Sequence, residues 1–373
     1  MPTTDALPRR PRNPGSLMLI DPSLFRAANE TVPLDWAAIA AHLAHSGLRL
    51  DLSETPRQFR GGLANLNFLV SVDGAPTVLR TPPRGPLPPG ANDMKREHRI
   101  LSRLWRALPR APRSLHLCED PAVAGHPFIL LEYRPGITLP GAAPDRLAAE
   151  PEAGARLGAM MIDALADIQA IDPASVGLDG LGRPDGFLDR AVSGWAQRAE
   201  LCAGPDGLDP LVAELVAWLR RNSVPGGPPT LLHNDFKLDN MILEPERLTP
   251  VAIVDWDQGT RGDPLFDLAT LLSYWTEAGD PPAMHKLAQM PTAGYGFPTR
   301  REAAERYAAR TGRDLSDFRF HRVLALFKLA VVFQQLHGRY TSGATTDPRY
   351  AGFGDLARGI FEFTHEVSQN RCF

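Results

Sequence analysis

The sequence predicts an α+β protein of two lobes, a small antiparallel β-sheet lobe followed by a larger, mainly helical one. Three observations carry this prediction. Short β-type runs crowd the first third of the chain, a Pro135-Gly136 turn follows them, and beyond it apolar residues recur at helical spacing. At 373 residues, 43% of them hydrophobic, the chain can bury a core larger than one average domain needs. The expected division is a disordered lead-in over residues 1–16, a first lobe over 17–133 and a second over 134–373.

The elements follow in order. Residues 1–16 hold four prolines and no hydrophobic period. Trp36, Ile39 and Leu43 then recur at helical spacing, with Gly47 where a helix would stop. Residues 68–72, 77–80 and 128–132 read as strands, the first two joined by the turn-forming pair Asp73-Gly74. A Pro-rich loop, TPPRGPLPPG, precedes a helix over 94–104 whose Ile100, Leu101 and Leu104 form an apolar stripe. In the second lobe 157–168, 211–219 and 318–336 read as helices. Two short apolar runs, 230–232 and 251–254, interrupt them.

Composition narrows the function. A formal charge of −3 argues against a protein that neutralises many nucleic-acid phosphates. Residues 1–135 carry a net +5 and the remainder −8, which suits an anionic donor held by the first part and a cationic group held by the second. Ordinary solvated surface charge would look the same. Cys118, Cys202 and Cys372 stand far apart, in neither disulfide-framework nor zinc spacing. No stretch reaches the roughly 18 uninterrupted apolar residues of a membrane span, and the first residues lack an apolar signal core. The expectation is a soluble, cytoplasmic protein without nucleic-acid or membrane partners. Only four of 40 basic residues are lysines, Lys95, Lys237, Lys286 and Lys328.

The densest chemistry lies at 231–272, LLHNDFKLDNMILEPERLTPVAIVDWDQGTRGDPLFDLATLL. If 241–243 and 251–254 pair as a hairpin, Asn240 at its entrance and Asp255 at its exit lie side by side. An amide oxygen and a carboxylate converging there suit Mg²⁺, which takes few protein ligands and keeps phosphate and water in its shell. Asp235 would face the same cleft as a proton acceptor.

At these residues the sequence resembles the aminoglycoside-phosphotransferase-like kinases, relatives of the protein kinases. His233-Asn234-Asp235 followed five residues later by Asn240 is similar to the family's catalytic loop, with Asn234 in place of the usual Gly. Ile253-Val254-Asp255-Trp256 resembles its metal-binding segment, and Gly262-Asp263-Pro264 with Asp267-Leu268-Ala269 the stretch that follows. The resemblance implies a protein-kinase-like bilobal fold, Asp235 as catalytic base, Lys237 as a contact to the transferred phosphate, and Asn240 and Asp255 as magnesium ligands. For His233, Asp263 and Asp267, support of the loop is the expected role.

In the first lobe, Phe59-Arg60-Gly61-Gly62-Leu63-Ala64-Asn65 is similar to the family's Gly-containing phosphate loop, which makes Gly61, Gly62 and Asn65 nucleotide contacts. Arg80 stands at the strand Lys that grips phosphates, and Glu97 at its ion-pair partner. The exchange reads either as loss of activity or as a tolerated swap, since Arg keeps the charge and a forked donor. VLRTPPRGPLPPG…KREHRIL resembles a branch associated with acyl-CoA dehydrogenases in which Arg is usual here, which favours an active enzyme. The stretch 129–136 resembles the hinge where backbone around Glu132 and Arg134 would bind adenine.

The resemblance therefore implies an ATP- and Mg²⁺-dependent kinase acting on a small-molecule hydroxyl. The branch favours a hydroxy acid or hydroxyacyl-CoA. The acidic second lobe favours an aminoglycoside or choline-like amino alcohol. A nucleotide-binding pseudokinase with a regulatory role is the reading from another class.

Overall fold

The computed structural model describes residues 20–60, 65–83, 92–139, 145–148, 150, 152–204, 207–345 and 347–373. The lead-in 1–16 and the glycines Gly61 and Gly62 lie outside them. The chain divides into two compact units, one of residues 1–102 and 112–134, the other of 103–111 and 135–373.

The first unit is built on a five-stranded antiparallel sheet among the described residues, with strand order β1-β2-β3-β5-β4. Its strands are β1 (Arg57–Gln58), β2 (Leu66–Val72), β3 (Ala75–Thr81), β4 (Ser114–Cys118) and β5 (Phe128–Glu132). The β2–β3 hairpin turns at Asp73 (φ +52°) and Gly74 (φ +75°), two left-handed residues whose twist matches that of the flanking strands. Alternation sets the two faces. Phe68, Val70, Leu79, Phe128 and Leu130 pack with Ile39 and Leu43 of helix α1 (Trp36–His45) into one core. Arg80, next to Leu79 in β3, takes the opposite face and meets helix α2 (Met94–Leu104) through Glu97. Helix α3 (Pro121–Ala124) is one short turn capped by Asp120. Strands β1 and β4 go beyond the runs singled out from the sequence. The first is two residues long, and the second exposes Leu115 and half-buries Leu117, which blurs its alternation.

The second unit contains helices α4 (Asp145–Ala148), α5 (Ala153–Gln169), α6 (Phe187–Leu201), α7 (Pro210–Arg221), α8 (Pro264–Ser273), α9 (Pro282–Leu287), α10 (Arg300–Thr311), α11 (Phe318–Thr341) and α12 (Phe353–Ser368). Two small antiparallel pairs interrupt them. Strand β6 (Thr230–Leu232) pairs with β9 (Thr260–Gly262), and β7 (Met241–Leu243) with β8 (Pro250–Ile253). Gly136 joins the β7 end through a close approach, because a Cβ there would come within 2.5 Å of the Leu243 carbonyl oxygen. Helix α11 is buried from Phe320 to Val331 without interruption, so its sequence shows little helical period. The α+β class and the strand-rich then helix-rich order agree with the sequence reading. Among the described residues no helix is long and apolar enough to cross a membrane.

Candidate active site

The segment after β6 is held from below by helix α8. Asp263 caps that helix by accepting the Leu265 N–H at 2.9 Å, and Pro264 opens its first turn. One turn on, the fully buried Asp267 accepts the backbone N–H groups of His233 and Asn234, both at 2.8 Å. Burial pushes Asp267 up from the ordinary carboxylate value, against the pull of His233 and these two N–H groups. The His233 ring lies against Trp256 and Phe236, with Nε2 2.9 Å from the Val254 carbonyl. A carbonyl only accepts, so Nε2 carries the proton. His233 thus ties the loop to the end of β8.

Asp235 stands on this support with both oxygens engaged. Oδ1 accepts the Tyr274 hydroxyl at 2.7 Å, and Oδ2 lies 3.3 Å from Lys237 Nζ and accepts Asn240 Nδ2 at 3.2 Å. Burial by itself would raise Asp235, but Lys237, the Tyr274 hydroxyl, Lys328 and His233 outweigh it and hold the carboxyl below its ordinary value. In Lys237 burial opposes the charge, while Asp235, Asp239 and Asp255 prevail and raise it. Tyr274 is raised well above its ordinary value by burial and by the Asp235 charge, so it remains a donor. Its ring also lies 4.8 Å from the Lys237 ammonium.

The β7–β8 register places Asn240 beside Val254, whose N–H donates to the Asn240 carbonyl at 2.9 Å. Asp255 is the next residue, half-buried, at φ +68°. A left-handed non-glycine costs on the order of 1–3 kcal/mol and persists where surrounding structure imposes it, a pattern found at functional sites. Asn240 Nδ2 donates to the Asp235 carbonyl (2.9 Å) as well as to its carboxylate, which leaves the amide oxygen as the group it can offer a cation.

Of the first-unit candidates, Arg80 and Glu97 form a buried ion pair, Nε to Oε2 at 2.8 Å, and Arg80 also donates to Asn67 Oδ1 at 3.3 Å. Asn65 Oδ1 accepts Asn92 Nδ2 at 3.0 Å. Glu132 is engaged at the end of β5. Its N–H donates to the Arg113 carbonyl (2.8 Å), and its carboxylate accepts the Arg113 N–H (3.3 Å) and pairs with Arg134 (3.0 Å).

Residues 55–315 match the model of a family described as the phosphotransferase enzyme family, APH. The chain belongs to this family. A curated relative, acyl-CoA dehydrogenase family member 10 of Mus musculus, is 29% identical over 323 residues, 85% of this chain and 29% of that protein. The chain spans less than half the length of the curated relatives it matches. Among solved structures, a Ralstonia eutropha protein assigned to the aminoglycoside phosphotransferases superposes with a TM-score of 0.70 at 24% identity, over 91% of this chain and 99% of its own. A thermostable mutant of aminoglycoside phosphotransferase APH(4)-Ia, in ternary complex with ADP and hygromycin B, superposes at 0.55 and 14% identity, over 90% and 99%. These two likenesses carry the APH fold.

Two residues of this APH-type site were not singled out as site residues from the sequence, Tyr274 and Lys328. Tyr274 follows α8 in an apolar run and carries no local signal. Lys328 had one, being a lysine in an Arg-biased chain, set inside LALFKLAVVF. Burial first, with repulsion from Lys237 and Arg198, pulls it from 10.5 to about 8, against the attraction of Asp235 and Asp267. A lysine whose folded value lies below its unfolded one destabilises the fold while charged. The penalty is full below pH 8 and is lifted as pH rises from about 8 to 10.5. Urea unfolding across that window is expected to show wild type gaining up to about 3 kcal/mol relative to Lys328→Met.

Proposed function

We propose that this phosphotransferase moves the γ-phosphoryl group of ATP, with Mg²⁺, to a hydroxyl of a small hydroxy acid or hydroxyacyl-CoA thioester. The observation that carries the reading is Asp235, a nearly buried carboxylate kept ionised by Lys237 and oriented by Tyr274 and Asn240. Such a group aligns an acceptor hydroxyl and takes its proton as the oxygen bonds to phosphorus. Lys237 holds positive charge beside it for the transferring phosphoryl oxygens. Asn240 and Asp255 offer the hard oxygens that suit Mg²⁺, which supplies charge neutralisation on the phosphates when bound. Arg80, fixed by Glu97, meets phosphate oxygens, and Gly61, Gly62 and Asn65 with the Glu132–Arg134 backbone complete the nucleotide contacts. In this reading 17–133 is the nucleotide lobe and 134–373 carries the catalytic loop, metal and acceptor.

Two features favour an acyl acceptor over an aminoglycoside or choline-like amino alcohol. The mouse relative is named an acyl-CoA dehydrogenase family member. The second feature lies just beyond Tyr274. Glu277 and Asp280 are neutralised there by the buried Arg300, at 3.1 and 2.6 Å. The adjoining cavity of ≈ 240 Å³ is lined by Thr276, His285, Met290 and Tyr295 and four small or apolar residues, with no carboxylate. Met290 borders the catalytic loop, its Sδ accepting the Leu238 N–H at 3.4 Å.

The test is ATP consumption with Mg²⁺ across hydroxy acids, hydroxyacyl-CoA thioesters, aminoglycosides and amino alcohols, with product masses recorded. Acceptor-dependent gain of one phosphate by the acids or thioesters is expected. Gain only by amino alcohols or aminoglycosides would overturn the acceptor class, and ATP binding without any transfer would favour the pseudokinase. Asp255→Ala is expected to lower kcat by about 10²- to 10³-fold, as loss of one electrostatic stabiliser does, and steady-state rates against Mg²⁺ concentration check it.

A further inference from the structure

Lys328 lies in the middle of the buried face of α11, between Phe327 and Leu329, at 6% exposure. An apolar residue would pack there without burying a charge. Its ammonium instead reaches the residue immediately before Asp235, donating to the Asn234 carbonyl at 2.6 Å and to Asn234 Oδ1 at 3.2 Å. The other polar atoms of Asn234 are held too. Its N–H goes to Asp267 at 2.8 Å, and Nδ2 lies 3.4 Å from the Gln258 carbonyl, on the segment after Asp255. Asn234 is left-handed, at φ +66°, a conformation a side chain adopts at a penalty and keeps only when tied.

We infer that Lys328 is a positioning residue for Asp235, clamping the Asn234–Asp235 peptide so that the carboxylate keeps one orientation. This rests on Asp235 being the base of the proposed transfer. The peptide plane sets the direction of the Asp235 side chain, and a misplacement of about 1 Å in a reacting group lowers rates by about 10²-fold. The clamp is strongest in the charged form, whose ammonium donates to both oxygens through charge-assisted bonds, about twice as strong as those of a neutral amine. The charged groups acting on Lys328 are Asp235 and Lys237 of the loop, Asp267 of α8 and Arg198 of α6. Their balance with burial places its discharge near pH 8, inside the range where rates can be measured.

The experiment compares wild type, Lys328→Met, Asn234→Gly and Asp235→Asn on MgATP, with the acceptor found by the panel or, where none reacts, with water in basal ATP hydrolysis. Lys328→Met, apolar and similar in length, is expected to fold and to lose about 10- to 100-fold in kcat, with the KM for ATP within about twofold of wild type. Wild-type kcat is expected to fall as pH rises through 8, and the Lys328→Met profile to be flat there. Asn234→Gly, which accepts the left-handed φ and keeps the carbonyl but lacks Oδ1, is expected to lose several-fold at most, and the wild-type pH profile carries the test should Lys328→Met fail to fold. An inactive Asp235→Asn beside a Lys328→Met within twofold of wild type, with the same pH limb, overturns the positioning role alone. If Lys328→Met does not fold, a wild-type kcat that stays level as pH rises through 8 overturns it. Equal rates in wild type and Asp235→Asn overturn the transfer reading, and the positioning role with it.

Discussion

Asp235→Asn is expected to fold, to bind MgATP and to lower kcat by about 10²- to 10⁴-fold, the usual contribution of a positioned base. The substitution keeps the shape and the Oδ1 that accepts the Tyr274 hydroxyl. It removes the negative charge that draws the acceptor proton, and the proton affinity with it. The Lys237 ammonium loses its nearest carboxylate, at 3.3 Å, while the charges of Asp239 and Asp255 remain in its field, so Lys237 stays charged and the loop stays in place. Calorimetry with MgATP and steady-state kinetics with the identified acceptor separate the two effects. An unchanged Kd with a collapsed kcat supports the base; unchanged kcat sinks it.

Arg300→Met is expected to lower the unfolding free energy by about 3–5 kcal/mol, as removal of one partner from a buried ion pair does. Arg300 is 1% exposed at the start of α10. Its guanidinium donates to both oxygens of Asp280 at 2.6 Å, to Glu277 at 3.1 Å and to the Trp275 carbonyl at 2.9 Å. Without it the buried Asp280 carboxylate has no comparable donor, and the Trp275–Asp280 turn loses its fastening. A part of the loss returns through Arg322, which burial and then repulsion from Arg300 pull down to about 9. Urea unfolding of the variant measures the balance. A change under about 1 kcal/mol would show that water reaches and solvates Asp280. Because Tyr274 precedes this turn, a loosened turn is also expected to reduce kcat through the Asp235 carboxylate it orients.

The Asp73-Gly74 hairpin, the α2 stripe and the 241–254 hairpin were legible because each is written in neighbouring residues: turn chemistry, a helical period, or two short apolar runs with a tight connection. Strand β4 escaped because partial exposure of Leu115 and Leu117 weakens its alternation. Strand β9, three residues long, carries too few side chains for any period. Helix α11 was legible over 318–336 although its first half, buried on every side, shows little helical period.

The same division runs through the site. The sequence by itself determined the family, the α+β order and the stretch that carries His233, Asp235, Asn240 and Asp255, because these residues lie within one short loop and hairpin. Lys237 lies two residues from Asp235 in the chain, but only tertiary structure brings the Tyr274 and Lys328 side chains to it. Tyr274 and Lys328 stand 39 and 94 residues from the groups they contact, on the end of α8 and the middle of α11. Their charge and hydrogen bonds act over a few ångströms of space, with strength set by burial. No period or spacing in the chain records which distant helix closes over the loop, so Asp235, Lys237 and Asn240 appear in the sequence, while Tyr274 and Lys328 appear only in the fold.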